Sequence, residues 1–121
     1  MKMTNLEIYN NATRLVENFS DGNQKFPIKL NFFLQKNKKN LVSLAQEIEE
    51  ARLAIAKEFG VQNETGSYVV EPDMIDKAQT ELTQLFNIEQ DVDISTVSYD
   101  ELDPFMTLTS AQMEALLFMI K

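Results

Sequence analysis

Apolar positions recur along this chain mainly at helical spacing, with brief stretches of alternation between the helical runs. Tyr9, Ala12, Leu15, Val16 and Phe19 repeat at helical intervals, and Thr4 and Glu7 have the spacing of a capping box. They predict a helix over 4–19, stopped by Ser20-Asp21-Gly22-Asn23, where Gly22 suits the left-handed conformation that ends helices. In Phe26-Pro27-Ile28-Lys29-Leu30 the alternation and the proline predict an extended piece over 26–30, or the very start of the next helix. Leu30, Phe33, Leu34, Leu41, Leu44, Ala45, Ile48, Ala51, Ile55 and Phe59 then fall within roughly 120° of arc at 100° per residue. They predict a long helix over 31–59, about 40 Å in length, with Gly60 as its end. One small core does not reach that far, so the length implies self-association.

The second half alternates shorter elements. Asn63-Glu64-Thr65-Gly66 reads as a turn, and Ser67-Tyr68-Val69-Val70 as a strand over 67–70. Pro72, followed by Asp73 and Asp76, suits a helix N-terminus. Met74, Ile75, Ala78, Leu82, Leu85 and Phe86 stripe a helix over 72–89 that can pack antiparallel on the long one. Val92 and Ile94 alternate with Asp91, Asp93 and Ser95, predicting a half-exposed strand over 91–98. Thr109 and Gln112 again have capping-box spacing, and Met113, Leu116, Leu117 and Ile120 make an apolar helix over 110–121 that would fray unless docked. The expected architecture is one mostly helical α+β domain over 1–121. A long central helix carries antiparallel helix packing, and a small two- to three-stranded sheet is built from 67–70 and 91–98, with 26–30 as its third piece.

Composition narrows the chemistry. With 121 residues the chain has the size of one domain and needs no staple. The absence of Cys and His excludes disulfides, thiolate or imidazole zinc sites, a cysteine nucleophile and a histidine-based triad. Three glycines supply no phosphate-cradling loop, and neither Ser-x-x-Lys nor Gly-x-Ser-x-Gly occurs. Asp91-x-Asp93, with Asp100, Glu101 and Asp103 nearby, is the one acidic grouping dense enough for Mg²⁺ or Ca²⁺; its plainer reading is the solvent side of an edge strand. The expectation is a non-enzyme without cofactor or metal. The N-terminus turns polar within a few residues and no apolar run approaches the ~20 residues that span a bilayer, so a cytoplasmic location and no membrane partner are expected.

The net charge of −8 opposes non-specific nucleic-acid binding, but it is unevenly spread. Residues 1–60 carry nine Lys/Arg and seven Asp/Glu, whereas residues 61–121 carry two and twelve. Lys25, Lys29, Lys36, Lys38 and Lys39 occur with no acidic residue between Asp21 and Glu47. On a helix begun by residue 29, Lys29, Lys36 and Lys39 face away from the apolar stripe with Phe32 among them. That arrangement can stack on a base and pair with phosphates, or Phe32 and Ile28 can pack under another element or subunit. Asn37 lies in the middle of the apolar stripe, where a buried amide must find partners. It can cap the 26–30 segment, fix an oligomer register or line a pocket. Lys29, Phe32, Lys36, Asn37 and Lys39 are therefore the candidate ligand-binding residues. The acidic second half provides solubility, presents a phosphate-like surface to a basic groove, or pairs with the basic patch of another subunit in a head-to-tail contact.

Several stretches also resemble a known group of proteins. They are Phe26-Pro27-Ile28-Lys29-Leu30, Gln35-Lys36-Asn37, Gln46-Glu47-Ile48-Glu49-Glu50-Ala51-Arg52, the Glu-Thr-Gly-Ser-Tyr turn at 64–68 and Leu-Thr-Ser-Ala-Gln-Met-Glu-Ala at 108–115. Together the chain resembles a family of small, functionally uncharacterised proteins of bacteriophages and prophages of Gram-positive and gut bacteria. The resemblance carries over no functional residue. It implies a phage origin and action in the host bacterial cytoplasm. In that setting the Phe32/Lys36/Lys39 face and Asn37 favour an oligomeric binding protein that antagonises host defence by sequestering an anionic nucleotide signal, and the acidic second half favours occlusion of a defence protein. A structural or chaperone-like part in virion or tail assembly is the alternative.

Overall fold

The computed structural model describes residues 1–19, 26–102 and 107–121. The turn expected at Ser20-Asp21-Gly22-Asn23, together with Lys25 and Asp103, lies outside the described residues.

Strand β1 (Lys2–Thr4) leads directly into helix α1 (Asn5–Asn18). Thr4 caps that helix as its spacing with Glu7 requires, the Glu7 amide donating to Thr4 Oγ1 and the Thr4 amide to Glu7 Oε1, each over 3.2 Å. Helix α2 (Ile28–Phe59) has 32 residues, about 48 Å. It begins earlier than the expected 31 because Pro27, at φ −51° and ψ 140°, turns the chain into the helix from the N-cap position, so 28–30 are helical rather than extended. Strands β2 (Gly60–Gln62) and β3 (Tyr68–Val70) form an antiparallel hairpin in which Val61 faces Val69. Asn63 Oδ1 closes its loop by accepting from the Thr65 and Ser67 amides, and Gly66 supplies the positive φ of 86°. A 3-10 turn at Pro72–Met74 precedes α3 (Ile75–Asn87), which runs back along α2 towards the start of α1. There Tyr9 meets Phe86 edge-on, with ring centroids 6.2 Å apart.

The expected single sheet is instead two separate two-stranded ribbons. Strand β4 (Glu89–Asp91) pairs with β1, Lys2 facing Asp91 and Thr4 facing Glu89. Only Asp91 of the expected 91–98 strand is in a ladder. The rest crosses α2 with Val92 and Val97 buried and ends in a single parallel bridge between Val97 and Ile120. Val92 extends the β1–β4 pairing by one residue, its amide donating to the Met1 carbonyl over 2.8 Å and its carbonyl accepting from the N-terminal ammonium over 3.0 Å; from 93 to 96 the alternation reports burial without a partner strand. A 3-10 turn at Tyr99–Glu101 follows, and Thr109 caps α4 (Ser110–Leu116). A further 3-10 turn covers Leu117–Met119 and frees Ile120 for the bridge, which is why the last helix stops short of 121.

One hydrophobic core joins Ile8, Leu15 and Phe19 of α1, Leu30, Leu34, Leu41 and Ile48 of α2, Val92, Val97, and Ala115, Leu116 and Met119 of the C-terminal segment. In α2 no residue after Ile48 is fully buried. The end of α2, the hairpin and much of α3 therefore form a projecting arm, on which Leu53, Val61, Val69 and Ile75 stay 40–56% exposed.

Candidate interaction face on the long helix

Asn37 faces the core. Its side chain is fully buried; Nδ2 donates to the Ser95 carbonyl over 2.8 Å and Oδ1 accepts from the Ser95 amide over 2.9 Å. This pair of bonds copies one rung of a β-ladder and pins the extended 92–97 segment across α2. Asn37 is consequently removed from the ligand-binding set: its amide is spent inside the protein, and it neither caps 26–30 nor opens onto a pocket. A second buried asparagine with the same task gave no periodic signal in the sequence. Asn5 Nδ2 donates to the Leu85 carbonyl at the end of α3 over 2.8 Å, and Asn5 Oδ1 accepts from Gln90 Nε2 over 2.7 Å. Its only clue was a polar side chain one residue after the N-cap.

The other four candidates do share the outward side of α2. Phe32 is 67% exposed and Ile28 88%, while Phe33, one position on, turns half-buried towards the core with its ring centroid 6.2 Å from that of Phe32. The lysines are divided by the acidic segment beside them. Lys29 pairs with Glu101 and lies 5.8 Å from the Phe33 ring centroid. Donation from Lys29, helped by the Ser98 amide, holds the Glu101 carboxyl below the usual carboxylate range. Lys36 Nζ lies 3.7 Å from Asp93 Oδ2 and 3.4 Å from Ser95 Oγ. Lys38 Nζ donates to the Phe19 carbonyl at the C-terminal end of α1 over 3.3 Å, satisfying an orphan acceptor where a cation is favoured. Lys39 has no ion pair among the described residues and borders a shallow depression of about 380 Å³ with Gln35, Lys38, Val42, Ser43 and Gln46, all from α2. A single helix face of this kind offers contact area but does not surround a small molecule.

Further along the same helix, Arg52 donates Nε to Glu49 Oε2 over 2.9 Å and Nη2 to Oε1. This fork lowers the Glu49 carboxyl below its ordinary value of 4.5 and raises the guanidinium. Of the acidic residues considered for a metal, Asp91 takes the N-terminal ammonium, Asp93 takes Lys36 and Glu101 takes Lys29. Among the described residues no three carboxylates gather at one point, and no helix is long and apolar enough to cross a membrane. Comparison with protein-family models, with curated proteins and with solved structures finds no match to this chain.

Proposed function

We propose that this chain is a non-enzymatic, homo-oligomeric binding protein of bacteriophage origin that acts in the host bacterial cytoplasm, occluding a basic surface of an antiviral defence protein. The phage setting rests on the sequence resemblance. The occlusion reading rests on one observation: Glu64 on the hairpin, Glu71 and Asp73 in the turn after it, and Asp76 and Glu81 on α3 are all solvent-exposed and, among the described residues, none has an ion pair. Carboxylates spread along a projecting arm make a negative field that a nucleic-acid-binding groove would recognise.

Sequestration of an anionic nucleotide is the second reading. It is supported by the exposed Phe32 ring with Lys39 on the same helix face, and opposed by Asp93 and Glu101, which occupy Lys36 and Lys29 and would repel phosphate.

Producing the protein in hosts that each carry one defence system tests both readings. Restored plating of a defence-sensitive phage is expected, with a Glu71→Lys/Asp73→Lys/Asp76→Lys variant losing the restoration while keeping its melting temperature. No restoration in any host, with the protein recovered in phage particles, would establish the assembly role instead. A nucleotide ligand at 100 times its Kd would stabilise the protein by about 2.7 kcal/mol. A shift of that size across a panel of cyclic and linear oligonucleotides would move the assignment to sequestration.

A further inference from the structure

The outward face of α2 is complementary to itself in reverse. Phe32, Lys36, Lys39, Ser43, Gln46, Glu50 and Leu53 are all exposed and follow one another at intervals of four and three residues, the spacing of a seam between two helices. Read from either end, the order is apolar, charged, polar or charged, then small Ser43 at the centre, and the charges change sign across that centre. Turning a second α2 antiparallel about Ser43 sets Phe32 against Leu53 of the other copy, Lys36 against its Glu50, and Lys39 against its Gln46 with Glu47 alongside. Every contact is then made twice, as a two-fold interface requires.

We propose that this stripe is the docking surface for a second copy of the same chain, giving an antiparallel α2–α2 homodimer. The proposal rests on the oligomeric part of the reading above and supplies its interface. Charge complementarity argues for the occupant: basic Lys36 and Lys39 lie on one half of the stripe and acidic Glu47 and Glu50 on the other, so a parallel copy sets like charges together and a reversed copy pairs opposite ones. Lys39 has no ion pair among the described residues, and Lys36, 42% exposed and 3.7 Å from Asp93, has to exchange or share that carboxylate with Glu50 of the other copy. The seam from Phe32 to Leu53 is about 32 Å long and one helix wide, at the small end of protein interfaces, so the dimer belongs to the reversible, micromolar class.

Light scattering across a concentration series up to about 100 μM, a range set by that interface size, tests the proposal. The mass is expected to rise from 13.9 kDa towards twice that value. K36E/K39E makes the seam wholly acidic and E47K/E50K makes it wholly basic. Each variant alone is expected to stay at the monomer mass, and an equimolar mixture to regain the dimer mass. Because the chain has no cysteine, S43C provides an independent reading. A short bis-maleimide is expected to link S43C to its own copy and not to link T83C on the outer side of α3. A wild-type mass of 13.9 kDa throughout the series, variants that associate as well as wild type, or equal linking of S43C and T83C would each overturn the dimer. None of these measurements involves a host component, so failure of the dimer and failure of the occlusion reading are separately visible.

Discussion

Asn37 and Glu49 show how differently two polar side chains of one helix act. Asn37 replaces water for both the amide and the carbonyl of Ser95, so its removal strands two backbone groups against the core. Asn37→Ala is expected to cost about 2–3 kcal/mol in urea unfolding, whereas Lys36→Gln, at an exposed pair, should cost under about 0.5 kcal/mol. Equal effects would show that the clamp does not hold the 92–97 segment. The Glu49–Arg52 pair has a pH signature. Because folding lowers the Glu49 pKa, its stabilisation is present above the ordinary carboxylate value and is lost as pH falls through the lowered one. The two side chains are 35% and 41% exposed, so the gap between wild type and Arg52→Gln should be at most about 1 kcal/mol at pH 7. It should close as pH falls below 4.5; a gap unchanged at lower pH would count against the pair.

At the level of elements, the arm is held by a close approach at its base. Gly60 has an extended φ of −123°, which any residue adopts. What it lacks is room: an added Cβ would lie 2.6 Å from the Ala56 carbonyl oxygen and 3.0 Å from that of Val69. Gly60→Ala should therefore displace the hairpin from the end of α2 and cost about 1–3 kcal/mol, with hydrogen exchange quickening across residues 60–70 while α1 and the first half of α2 stay protected. Unchanged exchange in the hairpin would show that the ribbon docks without this contact. A two-stranded ribbon is marginal alone, so its position depends on contacts such as Lys57 over the Tyr68 ring, 5.8 Å from the centroid.

Across the whole molecule, charge and shape run along one axis. Lysines concentrate on the first part of α2, and carboxylates without an ion pair among the described residues lie on the hairpin, the turn that follows it and α3. An interface built from exposed opposite charges weakens as salt shortens the Debye length from about 10 Å at 0.1 M to about 3 Å at 1 M. Dimer affinity should accordingly fall about tenfold over that range. A dimer indifferent to salt would place its contacts on the apolar arm, at Val61, Val69 and Ile75, instead of the charged stripe.

Local chemistry made much of this protein legible in its sequence. The caps at Thr4 and Thr109, the turn at Asn63–Gly66, the stripe of α2 and the outward placement of Lys29, Phe32, Lys36 and Lys39 depend on neighbours within a few residues, and period and capping rules describe such neighbours. The partners of these segments were not legible, because pairing across 58 to 89 residues leaves no local trace: Lys2 with Asp91, Asn5 with Leu85, Asn37 with Ser95. Three-residue strands carry too little alternation to announce themselves, so β1 and β2 were hidden in a terminus and a helix end. Tertiary structure alone decided that Asn37 is scaffold, that Lys29 and Lys36 are paired with the chain's own acids, and that the core stops at Ile48. Each of those outcomes depends on which distant segment crosses α2, and there the cost of burying an unpaired polar group outweighs helical period.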